Sequence, residues 1–304
     1  SLSSSILALI KPAKVDIFNC SSRLIWFISN KYLTKHLIPF PHISAWLPSE
    51  LNIFIFTSHS PSDGLTTIKP SAPTAIAPLD IGTTKICIAV GKKDDHGNIK
   101  IIAFAETRSI GVAVGMVQNI QKATEQISQV VKEASKDSNV EIKKANVGIA
   151  GKHIKSFTRH NSIYINNKED NEINSDHLMK LLYEAKNTII PPGDEIIAVT
   201  AQNYLVDEEI MTMEPIGTPG KKLEADFHIV TARKTDIKNI ISCVEKANIF
   251  RELLVLEPQA SSLAILTEGE LESGVCLVDI GGGTTDIAIF YENVMRHTAI
   301  IPVS

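Results

Sequence analysis

Two short segments share one pattern of groups able to hold a phosphate and a cation. Leu79-Asp80-Ile81-Gly82-Thr83-Thr84-Lys85-Ile86 and Val278-Asp279-Ile280-Gly281-Gly282-Gly283-Thr284-Thr285-Asp286-Ile287 lie 199 residues apart. Each sets an aspartate at the end of an apolar run, then a Gly/Thr turn, then a second apolar run. Glycine has no Cβ, so backbone N–H groups can close on an anion, and threonine hydroxyls add donors. A concave row of amides of this kind cradles phosphate. An ionised aspartate only accepts hydrogen bonds and repels phosphate unless a divalent cation lies between them. Two such turns facing each other would clamp a magnesium nucleotide between two related lobes. One copy alone reads as an ordinary hairpin; the repetition, with a Thr-Thr pair each time, is what points to a nucleotide. The P-loop pattern GxxxxGK[ST] and the dinucleotide fingerprint GxGxxG are both absent.

Elements able to carry these turns are legible around them. Apolar runs at 76–81, 86–90 and 99–105 predict a three-stranded meander, turning at Gly82-Thr83-Thr84 and at Asp94-Asp95-His96-Gly97-Asn98. Asn119 is positioned to cap a helix with Ile120, Ala123, Ile127, Val130, Val131 and Ala134 on one face, giving a βββα opening. A strand at 145–150 leads through Gly151-Lys152-His153 into a polar stretch. Ser175 then caps a helix with Leu178, Leu181, Leu182 and Ala185 inward, and strands follow at 196–205 and 224–232. Together these predict a small α+β unit. Asp236 opens a further helix, 253–256 is a short buried strand, and Pro258 suits the first turn of a helix reaching Thr267. Runs at 274–279 and 287–291 repeat the opening strand–turn–strand. Cys87 and Cys276 read as small apolar fillers in core strands, and His153 as a loop or capping histidine.

Composition narrows the function classes. The chain has 304 residues, 44% of them apolar, enough for a core of one large or two ordinary domains. With 30 Lys and Arg against 34 Asp and Glu, the net charge of −4 offers no basic excess for nucleic acid. The average hides a break near residue 75. Residues 1–75 carry six basic and three acidic groups, both tryptophans, seven of the fourteen prolines and one glycine of sixteen. That stretch is expected to be an extension outside the fold. Four cysteines without a CxxC pair or histidines at metal-ligand spacing indicate neither a disulfide framework nor zinc, and a reducing cytoplasm fits. No apolar run approaches the roughly 20 residues of a membrane helix, and residues 1–10 lack the basic flank of a signal peptide.

The paired turns resemble phosphate-1 and phosphate-2 of the actin-like ATPase superfamily. Gly148-Ile149-Ala150-Gly151-Lys152-His153-Ile154, Pro215-Ile216-Gly217, Lys222-Leu223-Glu224-Ala225-Asp226-Phe227-His228, Leu256-Glu257-Pro258-Gln259-Ala260-Ser261-Ser262 and Arg296-His297-Thr298 are similar to the bacterial FtsA family over about 76–304. The resemblance implies an α/β, actin-like (ribonuclease H-like) ATPase fold. Its first lobe (1A) would occupy 76–144 plus 229–255, an inserted α+β 1C subdomain 145–228, and the start of a second lobe (2A) 256–304. ATP and Mg²⁺ are the implied cofactors. Gly82, Thr83, Thr84 and Lys85 would meet the terminal phosphates, Gly281, Gly282, Gly283, Thr284 and Thr285 would close on them, and Asp80 and Asp279 would hold Mg²⁺ through water. Glu257 would be the catalytic, water-orienting acid, or else a plain helix N-terminal carboxylate.

What the resemblance implies for the cell is a division scaffold. It would polymerise, bind FtsZ and other divisome proteins, and tether the FtsZ ring to the inner membrane from its cytoplasmic face at the division site. Hydrolysis would be at most slow and magnesium-dependent. A PilM-like pilus-assembly protein, an MreB-like actin homologue and an actin-fold ATPase acting by turnover stay open as alternatives. In the family the adenine-binding motif, the FtsZ-binding 2B subdomain and a C-terminal membrane helix follow phosphate-2. The chain is therefore expected to be C-terminally truncated, with a second lobe ending two strands into its sheet. It is also expected to bind Mg-ATP poorly or not at all, and to aggregate through an open sheet edge.

Overall fold

The computed structural model describes residues 18–19, 54–55, 75–93, 99–165 and 171–302, so most of the 1–75 extension lies outside the described residues. Two dipeptides from it, β1 (Phe18–Asn19) and β2 (Phe54–Ile55), pair their backbones with later strands.

The first phosphate turn is built into a five-stranded sheet. β3 (Pro78–Ile81), β4 (Lys85–Lys93) and β5 (Ile99–Arg108) form the expected antiparallel meander. A short hairpin, β6 (Val112–Ala113) and β7 (Met116–Val117), then precedes α1 (Ile120–Ser138). Asn119 caps α1 as its sequence position suggests, its Oδ1 accepting from the Lys122 N–H at 2.9 Å. The helical periodicity places Ala123, Ile127, Val130 and Ala134 wholly inside, against β4 and β5. β8 (Lys144–Ile149) and β13 (Phe250–Leu256) add in parallel, giving the order β13-β8-β3-β4-β5. α3 (Lys234–Lys246) packs beside α1 with Ile237, Ile240 and Val244 inward.

Between β8 and α3 the chain builds a second sheet. β9 (Ile154–Tyr164), β10 (Asp194–Val206), β11 (Ile210–Thr212) and β12 (Lys222–Arg233) are antiparallel in the order β11-β10-β12-β9. α2 (Ser175–Lys186) lies on one face and closes a separate core of Ile163, Ile173, Leu181, Val206, Leu223, Phe227 and Ile229. Its cap is Asn174, one residue before the expected Ser175, in a capping box with His177. Two expectations shift here. The strand expected to open the small unit is β8, which hydrogen-bonds in the first sheet, and the polar stretch after Gly151 is the eleven-residue strand β9.

The remaining chain is α4 (Glu257–Ile265), α5 (Glu268–Ser273) and an antiparallel meander, β14 (Val275–Ile280), β15 (Thr284–Tyr291) and β16 (Val294–Pro302). One helix was expected to reach Thr267; instead Thr267 caps α5 in a box with Glu270. β16 is a third strand where two were expected. Cys87 is a buried filler as expected, whereas Cys276 lies on an exposed position of β14. His153 stands in the loop after β8 but is buried, and neither ring nitrogen has a hydrogen-bond partner. No helix among the described residues is long and apolar enough to cross a membrane.

His228 on β12 is also buried, with neither ring nitrogen hydrogen-bonded. Burial, with His297 nearby, pushes its pKa from 6.5 down to about 4. The unfolded chain therefore takes up a proton below pH 6.5 that the folded chain refuses until about pH 4, so stability falls as pH drops across that window. Urea unfolding is expected to show up to about 3 kcal/mol less stability at pH 4 than at pH 7 from this group. His228→Leu is expected to flatten that part of the profile.

Candidate functional site

The two turns have the same backbone closure. The Gly82 N–H donates to the Lys85 carbonyl at 3.0 Å, and the Gly281 N–H donates to the Thr284 carbonyl at 2.8 Å. Asp80 precedes the first by two residues and Asp279 the second, and both are buried. This closure makes Thr83 and Thr84 equivalent to Gly282 and Gly283, which corrects the reading of two matching Thr-Thr pairs. Thr284 and Thr285 begin β15, at positions equivalent to Lys85 and Ile86. The non-equivalence has a steric purpose, because the turns meet tip to tip. A Cβ on Gly282 would overlap Thr84 Oγ1, and one on Gly283 would come within 2.9 Å of Thr83 Oγ1. Two threonines on one lobe fill the space left by two glycines on the other.

Around this contact lies one cleft, lined by Asp80, Ile81, the turn 82–85, residues 281–284, Gly115, Ala150 and Glu257. Of the residues singled out from the sequence, only Asp279 and Thr285 stand outside the lining; Asp279 accepts a hydrogen bond from Ser261 Oγ at 3.4 Å. Lys85 reaches the cleft, and its Nζ also pairs with Glu106 at 3.0 Å. Behind Asp80, Cys87 Sγ sits 3.8 Å from Asp80 Oδ2. Burial first, and then the Asp80 charge, raises that thiol's pKa, so it stays protonated beside the carboxylate.

Glu257 is the first residue of α4 and is buried. It enters the cleft because β8 has no side chain at Gly148: a Cβ there would stand 3.2 Å from Glu257 Cγ and 3.3 Å from Oε1. The helix-start position and the cleft position therefore coincide in one residue.

The β6–β7 hairpin is the part of the site that sequence reading did not find. Its turn residues Val114 and Gly115 have φ of 52° and 68°. Two successive positive φ values are what a tight hairpin with right-handed strand twist requires, and a β-branched residue rarely adopts one. The hairpin presses Gly115 against Gly151, where a Cβ would come within 2.5 Å of the Gly151 Cα. From there the Gly115 N–H donates to Thr83 Oγ1 at 3.1 Å and orients that hydroxyl. The only cue was Gly111 and Gly115 flanking three residues, and Val114 hides it.

A magnesium nucleotide fits this donor set. Backbone amides of two glycine-bearing turns, threonine hydroxyls and Lys85 suit phosphate, and the carboxylate of Asp80 is a hard oxygen ligand suited to Mg²⁺. Among the described residues no three His, Cys, Asp or Glu side chains converge to hold a metal by themselves.

Known proteins agree with the architecture. Residues 151–231 match the family described as the SHS2 domain inserted in FtsA, which spans the small sheet from just after β8 almost to the end of β12. The chain is 39% identical over 229 residues to cell division protein FtsA of Pseudomonas aeruginosa, covering 75% of this chain and 54% of that one. It is 36% identical over 227 residues to FtsA of Neisseria meningitidis serogroup B, with the same coverage. Among solved structures, the PilM-PilN type IV pilus biogenesis complex aligns with a TM-score of 0.51 at 14% identity, covering 77% of this chain and 63% of that one, a likeness of fold. The chain spans about half the length of the curated relatives it matches. With an SHS2 unit inserted after the fourth strand of the first sheet and two equivalent turns closing on one cleft, the chain is an FtsA-like protein of actin-like ATPase fold.

Proposed function

We propose that the chain binds the phosphates of a magnesium nucleoside triphosphate between its two turns, and that nucleotide-dependent closure serves an FtsA-like scaffold in cell division. The observation that carries the first part is the tip-to-tip fit of Thr83-Thr84 against Gly282-Gly283, which makes a single site out of two lobes. Similarity to FtsA supports the second part, including self-association, an FtsZ partnership, and a peripheral place on the cytoplasmic face of the inner membrane. Backbone amides of both turns would bind the terminal phosphates, and Lys85 would offset their charge while held by Glu106. Asp80, which lines the cleft, would hold Mg²⁺, and Asp279 of the second lobe, outside the lining, would reach it only through water; the bound cation would shield phosphate from these carboxylates. Glu257, a buried residue of the cleft lining at the start of α4, would accept a proton from an attacking water, and any hydrolysis would depend on it.

Of the two outcomes expected from the sequence, weak Mg-ATP binding or none, the proposal takes the first, and phosphorus-31 NMR tests it because line broadening reports even millimolar affinity. Broadening is expected with the 304-residue chain, only when Mg²⁺ is present, and is expected to disappear in Asp80→Ala and Asp279→Ala. Absence of broadening, or broadening that survives both substitutions, would overturn it. Phosphate release separates scaffold from enzyme: turnover well above that of Asp279→Ala would favour an ATPase acting by turnover.

A further inference from the structure

The small sheet is inserted into the first lobe by chain connectivity, yet it grips the second. β16 lies across the face of that sheet turned away from α2 and touches three of its strands. Ser156 of β9 donates its hydroxyl to the Thr298 carbonyl at 2.8 Å. On β10, Gln202 donates Nε2 to the Met295 carbonyl at 2.9 Å, in a buried bond, and its own carbonyl accepts from Arg296 Nη1 at 2.7 Å. His297 of β16 lies near enough to His228 of β12 to disfavour its protonation. Arg296 is fixed from behind by the Glu292 carboxylate and by stacking over the Tyr291 ring, 5.6 Å from its centroid. Outward carbonyls of an edge strand are thus satisfied by side chains of another unit instead of by water.

The position of this contact gives it a mechanical consequence. β15 begins at the phosphate turn, where Thr284 pairs with Pro302, and reaches the clasp at its other end, where Phe290 pairs with Met295. Those ends are about 20 Å apart at the rise of an extended strand. Thr84 and Gly282 are already in contact, and a rotation of the second lobe that parts the turns drags Met295 and Arg296 past Gln202. We propose that the Gln202–Met295–Arg296 clasp holds the cleft closed and couples its opening to the small unit. Anything that binds the small unit and favours the clasp then slows nucleotide exchange, and by linkage bound nucleotide tightens that binding. The exchange half of the proposal rests on the nucleotide reading; the mechanical half does not.

Spin labels at Glu133→Cys on α1 and Ser273→Cys on α5, in a Cys20→Ser, Cys276→Ser background, report the lobe separation without nucleotide. One narrow distance is expected for the parent chain. Gln202→Ala and Arg296→Ala are each expected to broaden it and add a longer component, with Ser156→Ala as a milder variant should either fail to fold. An unchanged narrow distance in folded Gln202→Ala and Arg296→Ala would overturn the clasp. Release of a fluorescent Mg-ATP analogue is expected to accelerate about fivefold to tenfold in the same variants, the range for one lost hydrogen bond. A broadened distance with unchanged release would overturn the coupling to exchange. Absence of nucleotide binding by the parent chain, with broadening still seen, would overturn the nucleotide reading while supporting the clasp.

Discussion

Gly282→Val is expected to weaken Mg-ATP binding by about 10- to 100-fold, the effect of forcing an overpacked contact worth 1–3 kcal/mol. A side chain at this position has no space while the turns are in contact, because even its Cβ would overlap Thr84 Oγ1. The lobes must then stand apart, and the second turn's amides no longer reach phosphates held by the first. Both hydrophobic cores should stay intact, since Gly282 contributes to neither. Titration of the variant against the parent, with urea unfolding as the control, checks this: affinity should fall while unfolding stays put. Equal affinity in the two proteins would show that the turns do not close on one ligand.

Phe227→Ala is expected to have the largest effect on folding, about 3–5 kcal/mol of stability. Phe227 is one of the largest fully buried side chains and sits in the core that α2 closes over the small sheet. That core is separate from the one beneath α1 and α3. Hydrogen exchange should therefore show protection lost first in β9, β10, β12 and α2, with the first sheet retained. Because the small unit also holds β16, the variant should loosen the second lobe as well. Uniform loss of protection across both sheets would mean that the two cores unfold as one.

Legibility in the sequence followed exposure. The helix α1 was readable because its apolar residues face one buried side at the helical period, and β4 because Ile86–Val90 is a continuous apolar run buried on both faces. β9 was not, because it is an edge strand whose Ser156, Thr158, His160 and Ser162 lie on the polar face, so its alternation is weak. β16 was missed for a related reason. Arg296 and His297 look like loop residues until the small sheet is laid against them, and that contact is made with a segment about 94 residues away in the chain. The phosphate turns were found by residue type but misaligned, since type pairs Thr with Thr whereas the backbone bond that closes each turn pairs Thr with Gly. Glu257 was found as a site residue, yet what admits it is a missing side chain at Gly148, and no pattern of types announces an absence.

Hydrogen–deuterium exchange of the 304-residue chain across a Mg-ATP titration tests the central claim most directly, because it reads both turns in one sample. Slowed exchange is predicted in 80–85 and in 279–285 together, following one saturation curve, and only with Mg²⁺ present. Protection of one turn without the other, or of neither, would contradict a single phosphate cleft closed by two lobes.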